Sequence, residues 1–402
     1  MLSRFDAPPS AWSSALIAVL VGFGGTVALI VQAVQTAGGG PAQVVSAVTA
    51  LCIGMAIAGA GLSLALRMPI VLAWSTPGAA LVGASTLHLG WPTAIGAFLA
   101  AGAMMTLLGL APALGRLANR IPASVASAML AGVLLPFCLG LFRTFQSDLL
   151  LPALLLGVFL VLRQRAPLYA MLGVLAASMA VVFLRGDAAL EPGAPLFGAL
   201  APAMPAFDLA ALVGLAVPLF LVTLVSQNLP GLVVLRSAGY APPAGPILVV
   251  TGVATMLLAP FGAHGVNLAA ITAAICTNED AHPVKERRWI VAVIYAGFYG
   301  LLALFAAPLV ALFLAMPPTT IAAITGIALL APLAGALEGM LAEPQDREAA
   351  LLTFVATASG VSLWGVGAAF WGLAAGFLAL LARRWLGRRR EAERRTTPAR
   401  PR

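Results

Sequence analysis

Long apolar runs, separated by short polar or charged breaks, fill almost the whole chain. A helix needs about 20 apolar residues to cross the hydrocarbon core of a bilayer, and runs of that order recur up to a final basic cluster. They cover residues 13–36, 42–66, 91–112, 121–143, 147–164, 166–185, 209–236, 243–261, 287–315, 318–342, 346–364 and 366–386. The pattern predicts an all-α integral membrane protein.

The shorter apolar segment at 69–87 is interrupted by proline, glycine and hydroxyl residues. A β-favouring run comes first, and we then expect a helix to start in mid-membrane, with Thr76 as its cap and Pro77 at the first helical position. Gly78 would let a ligand approach the backbone. The amides of Gly78 and Ala79 would then point into the protein.

A second broken segment, at 260–279, repeats this design near half the chain later. Pro260 precedes a glycine-rich, non-helical stretch and then an alanine-rich helix. Half-helices at matching positions are typical of inverted-repeat carriers, in which helix N-termini favour an anion at the midplane. We therefore expect about fourteen elements in two inverted sevens, with repeats at 1–208 and 209–386 and a basic tail at 387–402. The alternative is that both segments are ordinary helices kinked by glycine and proline.

The basic residues are consistent with this threading. Alternate crossing of the fourteen elements places twenty of the twenty-two Lys and Arg residues on one side of the membrane. They are Arg4, Arg67, Arg116, Arg120, Arg163, Arg165, Arg236, Lys285, Arg287, Arg288, Arg347 and the nine arginines from Arg383 to Arg402, whereas Arg143 and Arg185 lie opposite. Because such a bias marks the cytoplasmic side, we expect both termini in the cytoplasm.

Composition excludes several other classes of protein. Of the 402 residues, 61% are apolar and only 9% charged, whereas soluble domains carry about 25% charged residues. Residues 383–402 supply +7 of the net charge of +8, so the basic balance indicates a membrane-surface anchor rather than a nucleic-acid binder. Cys52, Cys138 and Cys276 stand alone in apolar runs, so no disulfide or metal site is expected. Catalytic motifs and paired acids at membrane depth are absent from the sequence, which argues against an enzyme and indicates no cofactor.

Three stretches of the sequence resemble signatures of the benzoate/proton symporter (BenE) family. They are Ala73-Trp-Ser-Thr-Pro-Gly-Ala-Ala-Leu81, Gln227-Asn-Leu-Pro-Gly231 and Phe261-Gly-Ala-His-Gly-Val-Asn-Leu-Ala-Ala-Ile-Thr-Ala-Ala-Ile-Cys-Thr277. The likeness covers nearly the whole chain, and the layout is similar to the nucleobase and sulfate transporter fold. That fold implies a core domain, about 13–115 and 209–315, that moves against a gate domain, about 116–208 and 316–386, with the substrate between the two half-helices.

The resemblance also implies a function. We expect a secondary transporter of the bacterial inner membrane that imports an aromatic carboxylate, most plausibly benzoate, by proton symport and alternating access. Relatives of this fold are often dimers, so a homodimer is possible. The alternatives are a carrier of another anion or of a nucleobase in the same fold, and an uncoupled channel or uniporter.

Four candidate substrate-binding residues lie close together in the first broken segment, where its helix begins. The ring of Trp74 could stack on an aromatic substrate, and its indole donor could meet a carboxylate; an interfacial belt tryptophan is the alternative. Ser75 and Thr76 could donate hydrogen bonds to the anion or could only cap the helix. Gly78 completes this group through its backbone.

Two adjacent amides, Gln227 and Asn228, lie deep in an apolar span, where unpaired polar groups are costly. We expect them to contact the substrate or its cavity; hydrogen bonds between helices are the alternative. In the nucleobase-type relatives this region resembles a site with an acidic residue. The neutral amides here would suit an anionic substrate.

His264 is the only histidine inside a predicted membrane segment and the only titratable group at mid-depth in this threading. A free imidazole titrates near pH 6.5, which suits a proton-coupling group; a structural histidine is the alternative, with Glu338 or the substrate's own carboxyl then carrying the coupling. Asn267, one turn beyond His264, could share its face and either contact the substrate or hold the orientation of the imidazole.

Overall fold

The structure, a computed structural model, describes residues 7–24, 26–85, 90–111, 122–188 and 195–396. In the first half these form α1 (Pro9–Gly24), α2 (Val27–Thr36), α3 (Pro41–Leu66), β1 (Leu72–Trp74), α4 (Thr76–Gly83), α5 (Trp91–Leu110), α6 (Ala123–Arg143), α7 (Leu150–Arg165) and α8 (Ala170–Arg185). The span ends predicted at 112 and 121, and the basic residues Arg4, Arg116 and Arg120, lie outside the described residues.

The second half repeats this order of elements. It contains α9 (Leu209–Ser237), α10 (Ala244–Leu258), β2 (Val266–Leu268), α11 (Ile271–Thr277), α12 (Trp289–Leu304), α13 (Ala306–Leu314), α14 (Pro318–Leu341), α15 (Arg347–Ala358) and α16 (Ala368–Thr396). Among the described residues, nine helical segments are long and apolar enough to cross a membrane. Each predicted span coincides with a helix or with two helices in succession, except that the span predicted at 346–364 is shorter, because α15 ends at Ala358.

Some spans depart from a single regular helix. In the first span α1 ends at Gly24 and α2 begins at Val27, with Thr26 as the N-cap residue of α2. The span that begins at Trp289 is broken at Phe305. The long helix α9 contains two π-helical segments, Leu212–Ala216 and Leu224–Asn228. Since π-helical turns leave backbone groups displaced from the regular ladder and are frequent at functional sites, these breaks direct attention to α9.

The last helix is longer than predicted. We expected its span to end near residue 386, with the basic tail beginning at 387, whereas α16 continues to Thr396. Arginine, glutamate and alanine dominate this extension, and all three are good helix formers. The first part of the basic tail is therefore helical.

A two-stranded antiparallel ribbon joins the two repeats. Its register pairs Leu72 with Leu268, Ala73 with Asn267, and Trp74 with Val266. In both repeats the strand is followed by a short helix, as the broken-segment pattern predicts. The sequence predicted a β-favouring run in the first segment and a non-helical stretch in the second, but not the pairing, which depends on residues far apart in the chain.

The helices pack in two groups. The first brings α3 against α12 and α5 against α10, and the second brings α6 against α14 and α15, with α15 also against α16. The division of the chain into a core and a gate, and motion between them, stay predictions.

Residues 195–208 form neither helix nor strand and lie on the first group of helices. The amide of Gly198 donates to the carbonyl of Leu304 at 2.8 Å, and the amide of Ala203 donates to the carbonyl of Pro260 at 2.8 Å. This segment, which we assigned to the predicted gate, is thus hydrogen-bonded to residues that we assigned to the predicted core.

Candidate functional site

The β-ribbon divides the predicted site residues between two faces. Directly opposed residues of an antiparallel pair point to the same face, and successive residues alternate. Asn267 is opposite Ala73, whereas Trp74 is opposite Val266. Asn267 and Trp74 therefore lie on opposite faces of the ribbon, and a single small ligand would not contact both side chains in this arrangement.

Ser75, rather than Thr76, caps the first half-helix. Its Oγ accepts a hydrogen bond from the amide of Gly78 at 2.9 Å, and its carbonyl accepts one from the amide of Ala79 at 2.8 Å. The backbone of Ser75 is still extended, and Thr76 is already the first helical residue, so the cap falls one residue earlier than predicted, with Pro77 at the second helical position. Both amides that we expected to be free are thus paired within the protein.

The space beside Gly78 is occupied by a side chain of α9. A Cβ added to Gly78 would lie 2.9 Å from Cδ1 of Leu219 and 2.9 Å from Oγ of Ser75. Leu219 is completely buried. Glycine is therefore required for close contact between α4 and α9, and a ligand could reach this backbone only if Leu219 moved.

His264 connects the second broken segment to the cap of the first. Its Nε2 lies 3.0 Å from the carbonyl oxygen of Ser75, and the ring meets Phe98 edge-on. Because a carbonyl only accepts, Nε2 must carry the hydrogen. In the neutral ring Nδ1 then has a free lone pair, and it makes no hydrogen bond to any residue that the structure describes. Protonation of His264 would occur at Nδ1 without loss of the bond to Ser75.

Asn228 joins α9 to the second strand through both ends of its amide. Its Oδ1 accepts from the backbone amide of Leu268 at 3.1 Å, which fixes the oxygen on that side. Its Nδ2 then donates to Oδ1 of Asn267 at 2.9 Å and to the carbonyl of Thr223 at 3.3 Å. Asn228 is completely buried, so this network satisfies a polar group that would otherwise be costly at this depth.

The same network leaves one donor of Asn267 without a partner. Asn267 is 3% exposed, and its Nδ2 is buried with no hydrogen-bond partner among the described residues. A Cβ added to Gly265 would lie 2.9 Å from this nitrogen, so glycine provides its space. The extended backbone here also means that Asn267 is not one helical turn beyond His264, as we expected, but opposite Ala73 in the ribbon. Asn267 thus presents a buried donor that an anionic group could accept from.

Trp74 is enclosed within the core. Its Nε1 donates to Oγ1 of Thr26 at 2.7 Å, and its ring contacts Phe23 and Tyr299 with centroids 5.6 and 6.2 Å away. With 3% exposure it is not an interfacial belt residue. The indole donor that we predicted for a carboxylate is paired with Thr26 in this conformation.

Gln227 stands apart from this network. It is half-buried, and its side chain makes no hydrogen bond within the described ranges. It shares the π-helical segment Leu224–Asn228 with Asn228. The structure therefore joins Ser75 to His264 and Asn228 to Asn267, but leaves Gln227 without a partner at the ribbon.

Three threonines that the sequence analysis did not single out support the site. Oγ1 of Thr26 accepts a hydrogen bond from the indole of Trp74, and the carbonyl of Thr223 accepts one from Asn228. Oγ1 of Thr255 accepts a hydrogen bond from the amide of Val266 at 3.0 Å. Threonine is common in apolar spans, so neither spacing nor composition distinguishes these positions. Only Thr26, which follows two glycines in the first span, had a local signal.

Comparison with protein families identifies one match over nearly the whole chain. Residues 5–381 match the family described as benzoate membrane transport protein, BenE. The chain is 38% identical over 370 residues to the inner membrane protein YdcO of Escherichia coli K12, covering 91% of this chain and 93% of that protein. It is 35% identical over 359 residues to the benzoate membrane transport protein of Acinetobacter baylyi, covering 89% and 91%.

Solved structures with little sequence identity share the fold. The transmembrane domain of the cyanobacterial bicarbonate transporter BicA aligns with a TM-score of 0.65 at 16% identity, covering 94% of this chain and 98% of that one. The structure of SLC26A9 aligns with a TM-score of 0.62 at 14% identity, covering 92% and 65%. These likenesses confirm the predicted fold class, and the number of fourteen elements stays a prediction.

Proposed function

The chain belongs to the benzoate membrane transport protein family, BenE, and from this premise we propose that it imports an aromatic carboxylate, most plausibly benzoate, together with a proton. Membership makes it a membrane transport protein. The substrate and the coupling are the proposed part. The relative from Acinetobacter baylyi, named for benzoate transport and 35% identical, supports this choice of substrate.

The observation that carries the proposal is the ribbon that joins the two broken segments. It brings the cap of α4, the imidazole of His264 and the amide of Asn267 into neighbouring positions. The side chains in this network, Ser75, Asn228, His264 and Asn267, carry no permanent charge. An anion would therefore meet hydrogen-bond donors and a helix N-terminus without the repulsion of a fixed acid.

Proton coupling follows from the cost of isolated charge in this environment. A protonated His264 beside the positive end of α4 is unfavourable, because both are buried and of the same sign. A carboxylate alone at the same depth is also unfavourable. Protonation of His264 lowers the free energy of binding the carboxylate, and the bound carboxylate lowers the free energy of protonating His264. Proton and anion should therefore bind cooperatively. That is the thermodynamic requirement for symport.

We assign the free Nδ2 of Asn267 to the substrate carboxylate. This donor is buried and unpaired, whereas the amides of Gly78 and Ala79 are already occupied. Leu219 fills the space beside Gly78, so a substrate that reaches the N-terminus of α4 must displace this side chain. Because Gly78 and Leu219 both belong to the predicted core, the displacement requires a rearrangement within the core, in addition to movement of the core against the gate.

The direction of transport rests on the predicted orientation. Both termini are expected in the cytoplasm of a bacterial cell, with the chain in the inner membrane; the similarity to the inner membrane protein YdcO supports the location. Trp74 and Gln227 stay candidate substrate contacts in another conformation, since neither joins the network at Asn267 here. A homodimer stays a possibility suggested by the fold.

The decisive test is uptake of radiolabelled benzoate into proteoliposomes that contain the purified protein. An imposed inward proton gradient should drive accumulation above the external concentration, and collapse of the gradient should abolish it. Sulfate and uracil should not compete, whereas other aromatic acids should. Equilibration without accumulation would indicate a uniporter or channel. Competition by sulfate or uracil would replace the proposed substrate class.

A further inference from the structure

A cavity of about 450 Å³ lies between the ends of three helices, away from the ribbon. Its walls come from the start of α7, the end of α8 and the start of α14. Asp148, Leu151, Arg185, Asp187, Thr319 and Thr320 are among the lining residues. Nothing in the proposed transport mechanism uses these side chains.

The cavity is level with the boundary between lipid and water. The span 167–185 ends at Arg185, the span 318–341 begins one residue after Pro317, and Asp148 follows the span that ends at Gln146. Leu150 and Leu184, next to the cavity residues in the chain, are 71% and 87% exposed. Because exposed leucines of this kind face hydrocarbon in a membrane protein, the cavity opens where lipid headgroups lie.

The lining residues carry charges of both signs. Arg185 forms an ion pair with Asp148, whose other oxygen accepts hydrogen bonds from the amides of Leu150 and Leu151. Asp187 adds a second carboxylate, which is exposed and has no ion pair among the described residues. A ligand with a single negative charge would meet two acids and one base. A ligand with both a phosphate and an ammonium group matches this set better.

A buried hydroxyl group at the cavity has no partner. Thr320 is completely buried, and its Oγ1 makes no hydrogen bond to the described residues. It lies in the first turn of α14, a helix of 24 residues whose preceding residue, Pro317, provides no capping side chain. An unsatisfied hydroxyl beside an uncapped helix N-terminus is suited to an anionic oxygen, which would accept from the hydroxyl and interact with the helix dipole.

We propose that this cavity binds the headgroup of a zwitterionic aminophospholipid from the leaflet that surrounds these helix ends. The phosphate lies between Arg185 and the N-terminus of α14, accepts the hydrogen bond of Thr320, and leaves the ammonium group to donate to Asp187. The acyl chains continue over the exposed leucines. The lipid thereby contacts α7, α8 and α14 where their ends meet.

The test uses purified full-length protein in detergent and short-chain phospholipids that dissolve as monomers. Binding of phosphatidylethanolamine, phosphatidylcholine and phosphatidylglycerol is measured by native mass spectrometry, with the thermal unfolding midpoint as a second readout. Phosphatidylethanolamine should bind about tenfold more tightly than either of the others, the effect of one hydrogen bond to a charged group. Phosphatidylcholine cannot donate to Asp187, and phosphatidylglycerol lacks the ammonium group.

Two variants separate this site from general lipid adhesion. Thr320→Val removes a hydroxyl that has no partner in the protein, so the unliganded protein should keep its unfolding midpoint while binding weakens about tenfold. Asp187→Asn should abolish the preference for phosphatidylethanolamine over phosphatidylcholine. Thr36→Val, at an exposed helix end outside the cavity, is the matched control and should change neither.

Four results would overturn the proposal. Equal binding of all three lipids would mean that hydrophobic contact alone holds them. If inorganic phosphate raised the thermal unfolding midpoint as much as phosphatidylethanolamine does, the cavity would be assigned to a free anion. An equal rise with magnesium ions or a polyamine would assign it to a cation. Unchanged lipid binding by Thr320→Val would remove the hydroxyl from the site.

Discussion

The side-chain amide of Asn228 donates to the side-chain oxygen of Asn267 across 2.9 Å, and so fastens the middle of α9 to the second strand of the ribbon. The backbone amide of Leu268 fixes the direction of this bond, since it can only donate to Oδ1 of Asn228. One consequence is structural, because a π-helical segment is held against the ribbon. The other is functional, because the remaining donor of Asn267 is left for a ligand.

Asn228→Ala should destabilise the protein by about 1–3 kcal/mol, because it leaves the amide of Leu268 and the oxygen of Asn267 buried and unpaired. The measurement is the thermal or denaturant unfolding midpoint in detergent. Gln227→Ala is the matched control. Because the side chain of Gln227 has no hydrogen bond to lose, this substitution should destabilise the protein by no more than about 0.5 kcal/mol. Equal losses in the two variants would contradict the network described here.

Ser75→Ala should cost about 0.5–2 kcal/mol, the usual loss for removal of an N-cap side chain, because Oγ no longer accepts from the amide of Gly78. Thr76→Val should be nearly neutral for stability, since Thr76 is inside the helix. Unfolding midpoints of the two variants decide which residue is the cap. A larger loss for Thr76→Val would return that role to Thr76.

His264→Gln and His264→Ala should both abolish accumulation driven by a pH gradient, whereas substrate binding should stay measurable. Glutamine can still donate to the carbonyl of Ser75 but does not titrate, so it separates the structural bond from proton coupling. Gradient-driven uptake and substrate exchange without a gradient are measured side by side. Unchanged pH-driven uptake in both variants would move the coupling elsewhere, for instance to Glu338 or to the substrate's carboxyl.

Trp74→Phe and Thr26→Val should each cost about 0.5–1.5 kcal/mol, because each removes the hydrogen bond between indole and hydroxyl. The double variant should cost less than the sum of the single variants, since the same bond is lost only once. Unfolding midpoints of the four proteins give this coupling. Strict additivity would show that the bond contributes little to stability.

The ion pair between Asp148 and Arg185 predicts a pH dependence of stability. The hydrogen bond from Arg185, assisted by the amide of Leu151, lowers the pKa of Asp148 below its usual value of about 3.9. A carboxyl whose folded-state pKa is lowered stabilises the protein fully above the unfolded-state pKa, and this contribution is lost as the pH falls through the folded-state value. The unfolding midpoint should therefore drop below about pH 4, and this part of the drop should be absent in Asp148→Asn. An identical acid profile in the variant would exclude this pair as the cause.

Much of this protein was determined by the sequence alone. Apolar runs long enough to cross a bilayer admit few alternatives to helices, because backbone polar groups cannot stay unpaired in hydrocarbon. The two broken segments were also predictable from the sequence, because proline and glycine interrupt a helix and hydroxyl residues can cap the start of a new one. The stretches that resemble the family signatures, Ala73–Leu81 and Phe261–Thr277, lie in these segments. The match of residues 5–381 to the family confirms the family resemblance.

Only the tertiary structure decided how the two repeats meet. Pairing of Ala73 with Asn267 fixes which side chains share a face of the ribbon, and a shift of one residue would exchange every face. It separates Trp74 from Asn267, although the sequence analysis placed both among the substrate-binding residues. Long-range partners, such as Thr26 for Trp74, carry no local sequence signal, because a hydrogen bond between distant segments depends on their packing. Position along the chain identified the polar residues in the membrane, and packing determined which of their donors stay free.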